Sequence, residues 1–543
     1  MDAAMVEPQQ PIEHSLDGDA VRRMIAGAAG WVALHREALN QINVFPVPDG
    51  DTGANLGRTL AAAVQAVDEL DAGASPYTVA STAASAALLG GRGSSGVIGA
   101  QWLRGFSGGL AVADAPSVHD LVAALESAAD AALHAVSEPR DGTMISVARD
   151  AAREAAQASA ADPLRLMQLA TQAASESVER TPQQNPVLAD AGVVDAGARG
   201  LEFMLRGMTG ALAGEEIPEL PQELGSIDPG WLARRLDVEG DFDGFCTELV
   251  VSGVAAPDDL QTALAGEDET VMLAPDGDDL RIHLHTTEPE LAYIAASEAG
   301  ELRAFRAVDM RQQAARTHEA DTEPAVVAVV QGAGFVEVFR ELGAAALVSG
   351  GASDNPSVEM LLSAAESVKG VDVIVLPNHH NVTPAAQRAG ELAAVADQAQ
   401  RFHIIETDSQ AEGVAALASL IGGVPVEDVV AEMSEGLDAV SIGQVTYAAR
   451  RLEGDTPLQE GQPFAMLNGE IVDSGESSGQ VALSLAVRMA AESDGSLLTL
   501  YWGDVVTEDE ADELGQAIAD VTGLEVELIA GGQPHYPWLL ALE

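Results

Sequence analysis

The sequence predicts a multidomain protein: an all-helical N-terminal domain, a small α/β domain and a C-terminal α/β domain. The length of 543 residues exceeds what one core supports, at roughly 100–200 residues per domain. Ala and Leu recur with helical spacing in the first part of the chain, and strand-like apolar runs dominate the remainder. Hydrophobic residues make up 47% and charged residues 21%, so packed cores are expected and wholesale disorder is not.

The helical domain is expected over residues 15–214. Segments such as VRRMIAGAAGWVALHREAL and VHDLVAALESAADAALHAV have helical spacing and are separated by short loops of Gly, Pro and Asp. Residues 215–235 concentrate Pro, Gly and Glu without apolar periodicity, which is typical of an interdomain linker.

The middle α/β domain is expected over residues 236–320, where FCTELVVSG and LRIHLHTT alternate like half-buried strands and PELAYIAASEAG has a helical pattern. A C-terminal α/β domain is expected over residues 324–543, because buried-strand runs alternate there with helical segments, as in a parallel sheet. Those runs are AVVAVV, AALVSG, VDVIVLP and FHIIET, and the last predicted strands are SLLTLYWG and LEVELIAGG.

Composition excludes several classes of function. The chain has 27 basic and 85 acidic residues and a net charge of −58, which disfavours nucleic acid as a partner. Lys369 is the only lysine, so a nucleotide site here must work without a Walker-type lysine. Cys246 is the only cysteine, which fits a reducing compartment. The polar N-terminus and the lack of a long apolar run lead us to expect a cytoplasmic protein without stable membrane insertion.

The motif NVFPVPDGDTGAN, residues 43–55, places Asp49 and Asp51 on either side of a glycine in a turn that opens a helical segment. Two carboxylates so placed suit Mg²⁺, which takes its remaining ligands from water and nucleotide phosphates. Thr52 or Asn55 can add a contact. An ordinary Asp-Gly turn with an N-cap gives the same pattern, so the motif alone leaves both readings open.

A second loop, LGGRGSSGVIGAQ at residues 89–101, precedes an apolar helix. Glycines let backbone N–H groups approach phosphate oxygens, and a helix N-terminus favours an anion, so no lysine is needed. Arg92 can balance negative charge during phosphoryl transfer, although a tight helix–helix turn with a surface arginine is an equally valid interpretation. The candidate phosphate contacts are Gly93, Ser94, Ser95 and Gly96.

Two further loops, DGTMISV at 141–147 and NPVLADAGVVDAGARGL at 185–201, combine Gly, Asp and small residues between helices. Together, in this order, the four loops resemble the nucleotide-binding L-subunit domain of dihydroxyacetone kinases, in the variant that begins the fatty acid kinase A subunit. The resemblance implies a barrel of antiparallel helices that holds ATP and Mg²⁺ in the loops at one end and uses no Walker lysine.

The resemblance also implies roles for individual residues. Asp49 and Asp51 match the metal ligands, with Asn43 a looser match, and the Ser94–Gly96 segment matches the phosphate contacts. Ala54 and Ser94 depart from the family, which often has Thr and Asn there. The residues matched to the adenosine end of the nucleotide are Thr143, Met144, Gly192, Asp195 and Gly197.

Cys246, His283 and His285 are soft and borderline metal ligands in the predicted middle domain. Residues two apart share one face of a strand, so both imidazoles can reach one ion, although a strand with two histidines is more often a polar sheet face. The segments resemble the middle domain of the fatty acid kinase A subunit, whose matching Cys and two His bind zinc. That resemblance implies bound Zn²⁺. Three ligands leave a fourth position for water, Glu248 or a neighbouring chain, which fits a hydrolytic zinc as readily as a structural one. We favour a structural role or one at the interface of a homodimer, because the phosphate chemistry has its own metal.

The C-terminal loops SGGASDNPS and VLPNHHNV resemble the last domain of the same kinase subunit. The resemblance implies a fold akin to the fatty-acid-binding carrier and a role in engaging that carrier. Asp354, His379 and His380 depart from the family pattern. We expect the two adjacent histidines to be exposed and assign them no catalytic role.

The sequence therefore predicts the ATP-binding subunit of a fatty acid kinase, which transfers the γ-phosphoryl group of ATP to a fatty acid carboxylate held by a carrier protein. A carboxylic acid with a pKa of about 4–5 is already ionised at neutral pH, so no general base is required. The alternatives are a dihydroxyacetone kinase, whose separate substrate domain we do not find in this sequence, and a nucleotide-binding regulator without catalysis.

Overall fold

The chain is described by a computed structural model, and it divides into two compact units. One unit contains residues 1–242 with 265–284, and the other contains 243–264 with 285–543. The described residues are 16–543 except 47, 49, 92, 111–115, 137–138, 161, 219, 223, 226, 228–230, 232–243, 266–270, 312–322, 352–354, 369, 396–399, 452–456 and 494.

The described N-terminal region is helical. Its helices are α1 (Gly18–Leu34), α2 (Arg36–Gln41), α3 (Thr52–Asp68), α4 (Pro76–Gly90), α5 (Gly93–Leu110), α6 (Val118–His134), α7 (Met144–Gln157), α8 (Pro163–Gln184), α9 (Pro186–Ala191) and α10 (Ala196–Ala213).

Local sequence sets where several of these helices begin. The Ser75 hydroxyl accepts a hydrogen bond from the Thr78 N–H at 3.1 Å, and Pro76 follows at the first helical position of α4. Ser117 and Asp120 form a reciprocal capping box at the start of α6. Both arrangements satisfy N–H groups that have no partner within the helix. The helix boundaries in this unit therefore follow from short-range signals in the sequence.

The helices enclose an apolar core that includes the fully buried Leu56, Leu60 and Phe203. A hairpin joins this core: β2 (Met272–Asp276) pairs antiparallel with β3 (Asp279–Thr286), and Met272 lies opposite His283. Met272 also packs in the helical core. This hairpin brings a histidine from a distant part of the sequence into the helical unit.

In the second unit, β1 (Phe245–Ser252) pairs antiparallel with β4 (Glu301–Asp309). Strands β5 (Ala325–Val330), β6 (Ala346–Ser349), β7 (Asp372–Leu376) and β8 (Arg401–Ile404) follow, and β5–β6, β5–β7 and β7–β8 are parallel. Within this unit the strand order is β1-β4-β6-β5-β7-β8. The helices among these strands are α11 (Pro257–Leu264), α12 (Pro289–Ala299), α13 (Ala333–Glu341), α14 (Val358–Ser367), α15 (Thr383–Val395), α16 (Gln410–Ala418) and α17 (Val426–Asp438).

A second sheet completes this unit. Its order is β11-β10-β9-β14-β12-β13, and within it only the β12–β13 pair of the described strands is parallel. Its elements are β9 (Ser441–Tyr447), β10 (Pro463–Leu467), β11 (Glu470–Ser474), α18 (Ser478–Glu492), β12 (Leu497–Trp502), α19 (Glu508–Thr522), β13 (Glu525–Ala530) and β14 (Trp538–Leu542).

The predicted fold class is confirmed: a helical N-terminal region is followed by α/β regions. The prediction that β12 and β13 are the last strands is wrong. The terminal segment WLLAL forms β14, which is buried between β9 and β12 in the middle of the second sheet. Among the described residues, no helix combines the length and apolar character needed to cross a membrane.

Candidate functional site

The turn before α3 brings several predicted ligands together. Asp51 is the N-cap residue of α3, and its carboxylate accepts a hydrogen bond from the Asn55 amide at 2.7 Å. The Thr52 hydroxyl donates to Oδ1 of Asn43 at 2.8 Å, and both side chains are buried. Asp49 lies outside the described residues. Asn43, Asp51 and Thr52 therefore offer hard oxygen atoms in one turn, as Mg²⁺ prefers.

Asn40 holds this turn in place, and our reading of the sequence missed it. Its Oδ1 accepts hydrogen bonds from the backbone N–H groups of Gly53 and Ala54, at 2.8 and 3.1 Å. A Cβ on Gly53 would lie 2.2 Å from the carbonyl oxygen of Arg36, so only glycine permits this close approach of α2 and α3. The amides at the start of α3 are thus satisfied by a side chain of the preceding helix.

The start of α5 lies directly against the start of α3. Gly93–Gly96 form the first turn of α5 rather than a loop before it, which corrects our expectation. The Ser95 hydroxyl donates to the Thr52 carbonyl at 3.3 Å, and a Cβ on Gly93 would lie 2.3 Å from the Asn55 amide nitrogen. The two predicted loops therefore lie against each other, and Arg92 lies outside the described residues.

Two further residues join this contact. Thr59, which our sequence reading missed, is fully buried and donates to the Asn55 carbonyl at 2.9 Å. A Cβ on Gly96 would lie 2.6 Å from the Thr59 hydroxyl, so this pair sets how closely α5 packs on α3. Ser94 faces elsewhere: its Oγ lies 3.1 Å from Nε2 of His283.

The loops before α7 and α10 also meet. Thr143 is the N-cap residue of α7, and its hydroxyl donates to the Arg140 carbonyl at 2.7 Å. Met144 is buried, and its side chain lies beside Gly197. Gly192 ends α9 in the left-handed conformation with φ of 71°. Met144 and Gly197 therefore lie together, and Gly192 is three residues before Asp195 in the sequence.

Asp195 is the centre of that contact. It is the N-cap residue of α10, is 4% exposed, and accepts a hydrogen bond from the Ala198 N–H at 2.7 Å. Its carboxylate also accepts from the backbone N–H groups of Met144 and Gly197. Burial raises the pKa of this carboxyl to about 7, against the lowering effect of the three amides. Asp195 thus joins the starts of α7 and α10, which is a structural role our sequence reading did not assign.

We call the starts of α3, α5, α7 and α10 the helix-start cluster. A Cβ on Gly99 of α5 would lie 3.8 Å from the Met144 side chain, which links the α3–α5 contact to the α7–α10 contact. The start of α5 carries the partial positive charge of a helix N-terminus. At the starts of α3, α7 and α10, Asn40 and Asp195 already accept hydrogen bonds from backbone N–H groups. The start of α5 therefore favours an anion such as a nucleotide phosphate in a chain that is otherwise strongly acidic.

The predicted soft ligands also come together. One ligand atom each from Cys246, His283 and His285 lies within 4.8 Å of the others. A thiolate and two imidazoles are a donor set that suits Zn²⁺. Glu248, a possible fourth ligand by sequence, forms an ion pair with Arg306 at 2.7 Å.

The C-terminal histidines differ from expectation. His379 is buried and His380 is exposed, and their rings stack 4.3 Å apart. The prediction that both are exposed is therefore wrong for His379. Asp354 lies outside the described residues.

Comparison with known proteins places the chain in a family. A DAK2 domain model matches residues 46–210, and models of the FakA-like fatty acid kinase A subunit match 243–317 (middle domain) and 325–543 (C-terminal domain). Protein YloV of Bacillus subtilis is 30% identical over 556 residues, which cover 97% of this chain and 99% of that protein. The chain belongs to the FakA-like fatty acid kinase family. An uncharacterized protein of Staphylococcus saprophyticus is also 30% identical, over 97% of this chain and 99% of its own length.

Two solved structures each resemble part of the chain. The dihydroxyacetone kinase of C. freundii, in complex with AMP-PNP and Mg²⁺, is 16% identical, with a TM-score of 0.31 over 44% of this chain and 51% of its own. The DegV family protein Cg2579 of Corynebacterium glutamicum is 12% identical, with a TM-score of 0.33 over 41% of this chain and 97% of its own. The family matches themselves identify a kinase-type protein with a DAK2 domain.

Proposed function

We propose that this chain is the ATP-binding, phosphoryl-transferring subunit of a fatty acid kinase, and that its acceptor is a fatty acid carboxylate held by a separate carrier protein. The observation that carries the proposal is the contact between the Asp51 turn and the start of α5, in a chain of the FakA-like fatty acid kinase family. It supports the proposal because oxygen atoms of the Asp51 turn lie beside the first turn of α5, and a metal-bound triphosphate requires both oxygen ligands and backbone N–H donors.

The residues of the helix-start cluster fit Mg²⁺ and ATP. Asp51 and Asn43 supply the oxygen ligands, and Asn55 orients the Asp51 carboxylate through its 2.7 Å hydrogen bond. The first turn of α5, Gly93–Gly96, supplies backbone N–H groups for phosphate oxygens. When bound, Mg²⁺ neutralises phosphate charge and withdraws electron density from the transferring phosphoryl group. Met144 and Gly197 border the space that we assign to the adenosine.

In the proposed reaction, a carboxylate oxygen of the fatty acid bonds to the γ-phosphorus, and the bond between that phosphorus and the β,γ-bridging oxygen breaks. The products are acyl phosphate and ADP, and no proton needs to be removed because the acid is already ionised. The protein's own contribution is to position the triphosphate and to offset its charge. The buried Asn43 and Thr52 bond each other, and the buried Asn55 bonds Asp51, which supports such a fixed arrangement.

The C-terminal domain is proposed to bind the fatty-acid-loaded carrier, and the chain is proposed to form a homodimer; both follow from the family. We further propose that Cys246, His283 and His285 bind Zn²⁺, on the basis of their proximity. Elemental analysis of the purified chain should then find zinc, which Cys246→Ser should lose. A chain purified without zinc that also fails to bind added Zn²⁺ would refute this assignment.

The test compares two acceptors. The purified chain with Mg²⁺ and ATP is supplied with oleate plus its carrier protein, or with dihydroxyacetone, and ADP release is measured. Turnover is expected only with the loaded carrier. Turnover with dihydroxyacetone would favour a dihydroxyacetone kinase, which shares the nucleotide-binding domain. ATP binding without turnover on either acceptor would favour a nucleotide-binding regulator.

Asp51→Asn tests the assigned ligand within the same assay. We expect a loss of at least about 100-fold in kcat, because the substitution removes the charge that holds the metal against the phosphates. Asp68→Asn, at the exposed end of the same helix, is the matched control and should retain full activity. Equal activity of both variants would show that Asp51 is not a metal ligand.

A further inference from the structure

A small polar cavity lies in the second unit, far along the sequence from the helix-start cluster. It forms where β5, β6 and β7 end, and Gln331, Gly350 and Asn378 line it from those strand ends. Strand β5 has β6 on one side and β7 on the other, so the chain reverses its direction of winding here. Ligands of open parallel sheets bind at such a switch point, beyond the carboxyl ends of the strands.

The second sheet supplies the opposite wall of this switch-point cavity through Gln444 of β9 and through Gln533 and Tyr536 before β14. Its interior of about 30 Å³ has room for about two water molecules or the polar end of a small ligand. The cavity therefore lies between two sheets of one compact unit.

Several polar groups in the walls have unused hydrogen-bonding capacity. Gln533 is 2% exposed; its amide nitrogen donates to the Tyr536 carbonyl at 3.0 Å, but its buried Oε1 has no hydrogen bond among the described residues. A buried acceptor without a partner destabilises the fold, so a ligand that donates to it gains affinity. The side-chain amides of Gln331 and Gln444 also make no hydrogen bond within the described chain.

His379 adds a donor of fixed orientation. Its Nδ1 accepts a hydrogen bond from the Asn381 N–H at 3.1 Å, so the proton of the neutral ring is on Nε2. Burial and the neighbouring His380 lower the pKa of His379 to about 4, so the ring is neutral at physiological pH. The cavity therefore offers a neutral N–H donor beside amide donors and acceptors.

Charge decides the class of ligand. Asp408 is the one residue with a formal charge among the described lining residues, and it lies exposed at the edge. An anion would meet no arginine or lysine in that lining and would be repelled by Asp408, in a chain of net charge −58. Neutral donors and acceptors instead suit an uncharged group that both donates and accepts.

Backbone strain is concentrated at the same place. Asn378 has φ of 56° and His535, between two lining residues, has φ of 70°. Non-glycine residues rarely adopt this conformation, and such outliers often occur at ligand sites. Two of the three non-glycine residues of this kind in the described chain therefore border one cavity.

We propose that the switch-point cavity is a binding site for a small uncharged molecule that carries an amide or hydroxyl group, held by Gln331, Gln444 and Gln533. It is separate from the ATP site and does not depend on the function proposed above. Occupancy would join the two sheets of the C-terminal region, since the ligand would contact both.

The test uses acetamide and acetate, which have nearly the same shape but differ in charge, with the full-length chain. Ligand-observed saturation-transfer NMR should show saturable binding of acetamide and at least about tenfold weaker binding of acetate, which corresponds to about 1.4 kcal/mol. Gln533→Leu should abolish the acetamide signal. Gln516→Leu, which changes an exposed residue of α19, should leave it unchanged.

Gln444→Leu is the second variant, because Gln444 is only half-buried and its loss should not prevent folding. It should weaken acetamide binding at least fivefold. Equal or tighter binding of acetate would overturn the assigned ligand class. No saturable signal from either probe would show that the cavity holds only water, which would overturn the site itself.

Discussion

Asp195→Asn should change the stability of the protein in a way that depends on pH. In the folded chain, burial raises the pKa of the Asp195 carboxyl from 3.8 to about 7. Between these values the folded state binds a proton that the unfolded state has released, so unfolding becomes easier as the pH rises. The stabilising contribution is fully present below about pH 4 and is lost as the pH rises through about 7. At about 1.4 kcal/mol per pKa unit, the full range corresponds to about 4 kcal/mol.

Asparagine keeps one acceptor for the Ala198 N–H but turns a donor toward the N–H groups of Met144 and Gly197, which should cost about 1–3 kcal/mol. The variant should therefore be clearly less stable than the natural protein at pH 5. At pH 8 the natural protein carries a buried charge that the variant lacks. Between pH 5 and pH 8 the difference should therefore shrink by about 3 kcal/mol, which is about 1.4 kcal/mol for each pKa unit between 5 and about 7, and it can reverse.

Urea unfolding of both full-length proteins, followed by circular dichroism at pH 5 and pH 8, measures this difference. Asp162→Asn is the matched control, because Asp162 caps α8 by accepting from the Arg165 N–H at 2.9 Å without comparable burial. A difference between the natural protein and Asp195→Asn that is the same at both pH values would refute the reasoning.

Two further predictions concern the helical unit. Asn40→Ala should weaken binding of ATP with Mg²⁺ about tenfold in calorimetric titrations, because the turn before α3 loses two hydrogen bonds. The Asn40→Asp variant keeps the acceptor and should bind ATP more tightly than Asn40→Ala. Identical binding by both variants would show that Asn40 does not position the turn. Glu202 is fully buried between Arg199 and Arg206. Glu202→Gln should therefore lower the free energy of unfolding, measured by urea unfolding, by about 3–5 kcal/mol. A loss below about 1 kcal/mol would contradict a buried ion network.

Much of the fold follows from local signals in the sequence. Helical spacing and caps such as Ser117 and Asp162 locate the helices, and continuous apolar runs locate β5 to β8. Strand β14 was missed because WLLAL follows a Gly- and Pro-rich turn at the end of the sequence. Only pairing with β9 and β12, which are distant in the chain, makes it a central strand.

The candidate site was predicted in part for a similar reason. The Asp51 turn and the first turn of α5 are visible as motifs, and the structure brings them together. The roles of Asn40 and Thr59 depend on how closely α2, α3 and α5 pack, and periodicity does not encode those distances. Asp195 shows the opposite case: an acidic residue in a Gly-rich loop suggests a ligand contact, but its burial and three backbone donors make it the link between two helices.

The central claim is that phosphate is transferred to a carboxylate, and hydroxylamine trapping tests it most directly. Acyl phosphates react with hydroxylamine to form hydroxamates, whereas a phosphate ester of a hydroxyl group does not. The chain with ATP, Mg²⁺ and the oleate-loaded carrier should give oleoyl hydroxamate, and Asp51→Asn should give at least about 100-fold less. ATP consumption with the loaded carrier but without any hydroxamate would contradict acyl phosphate formation.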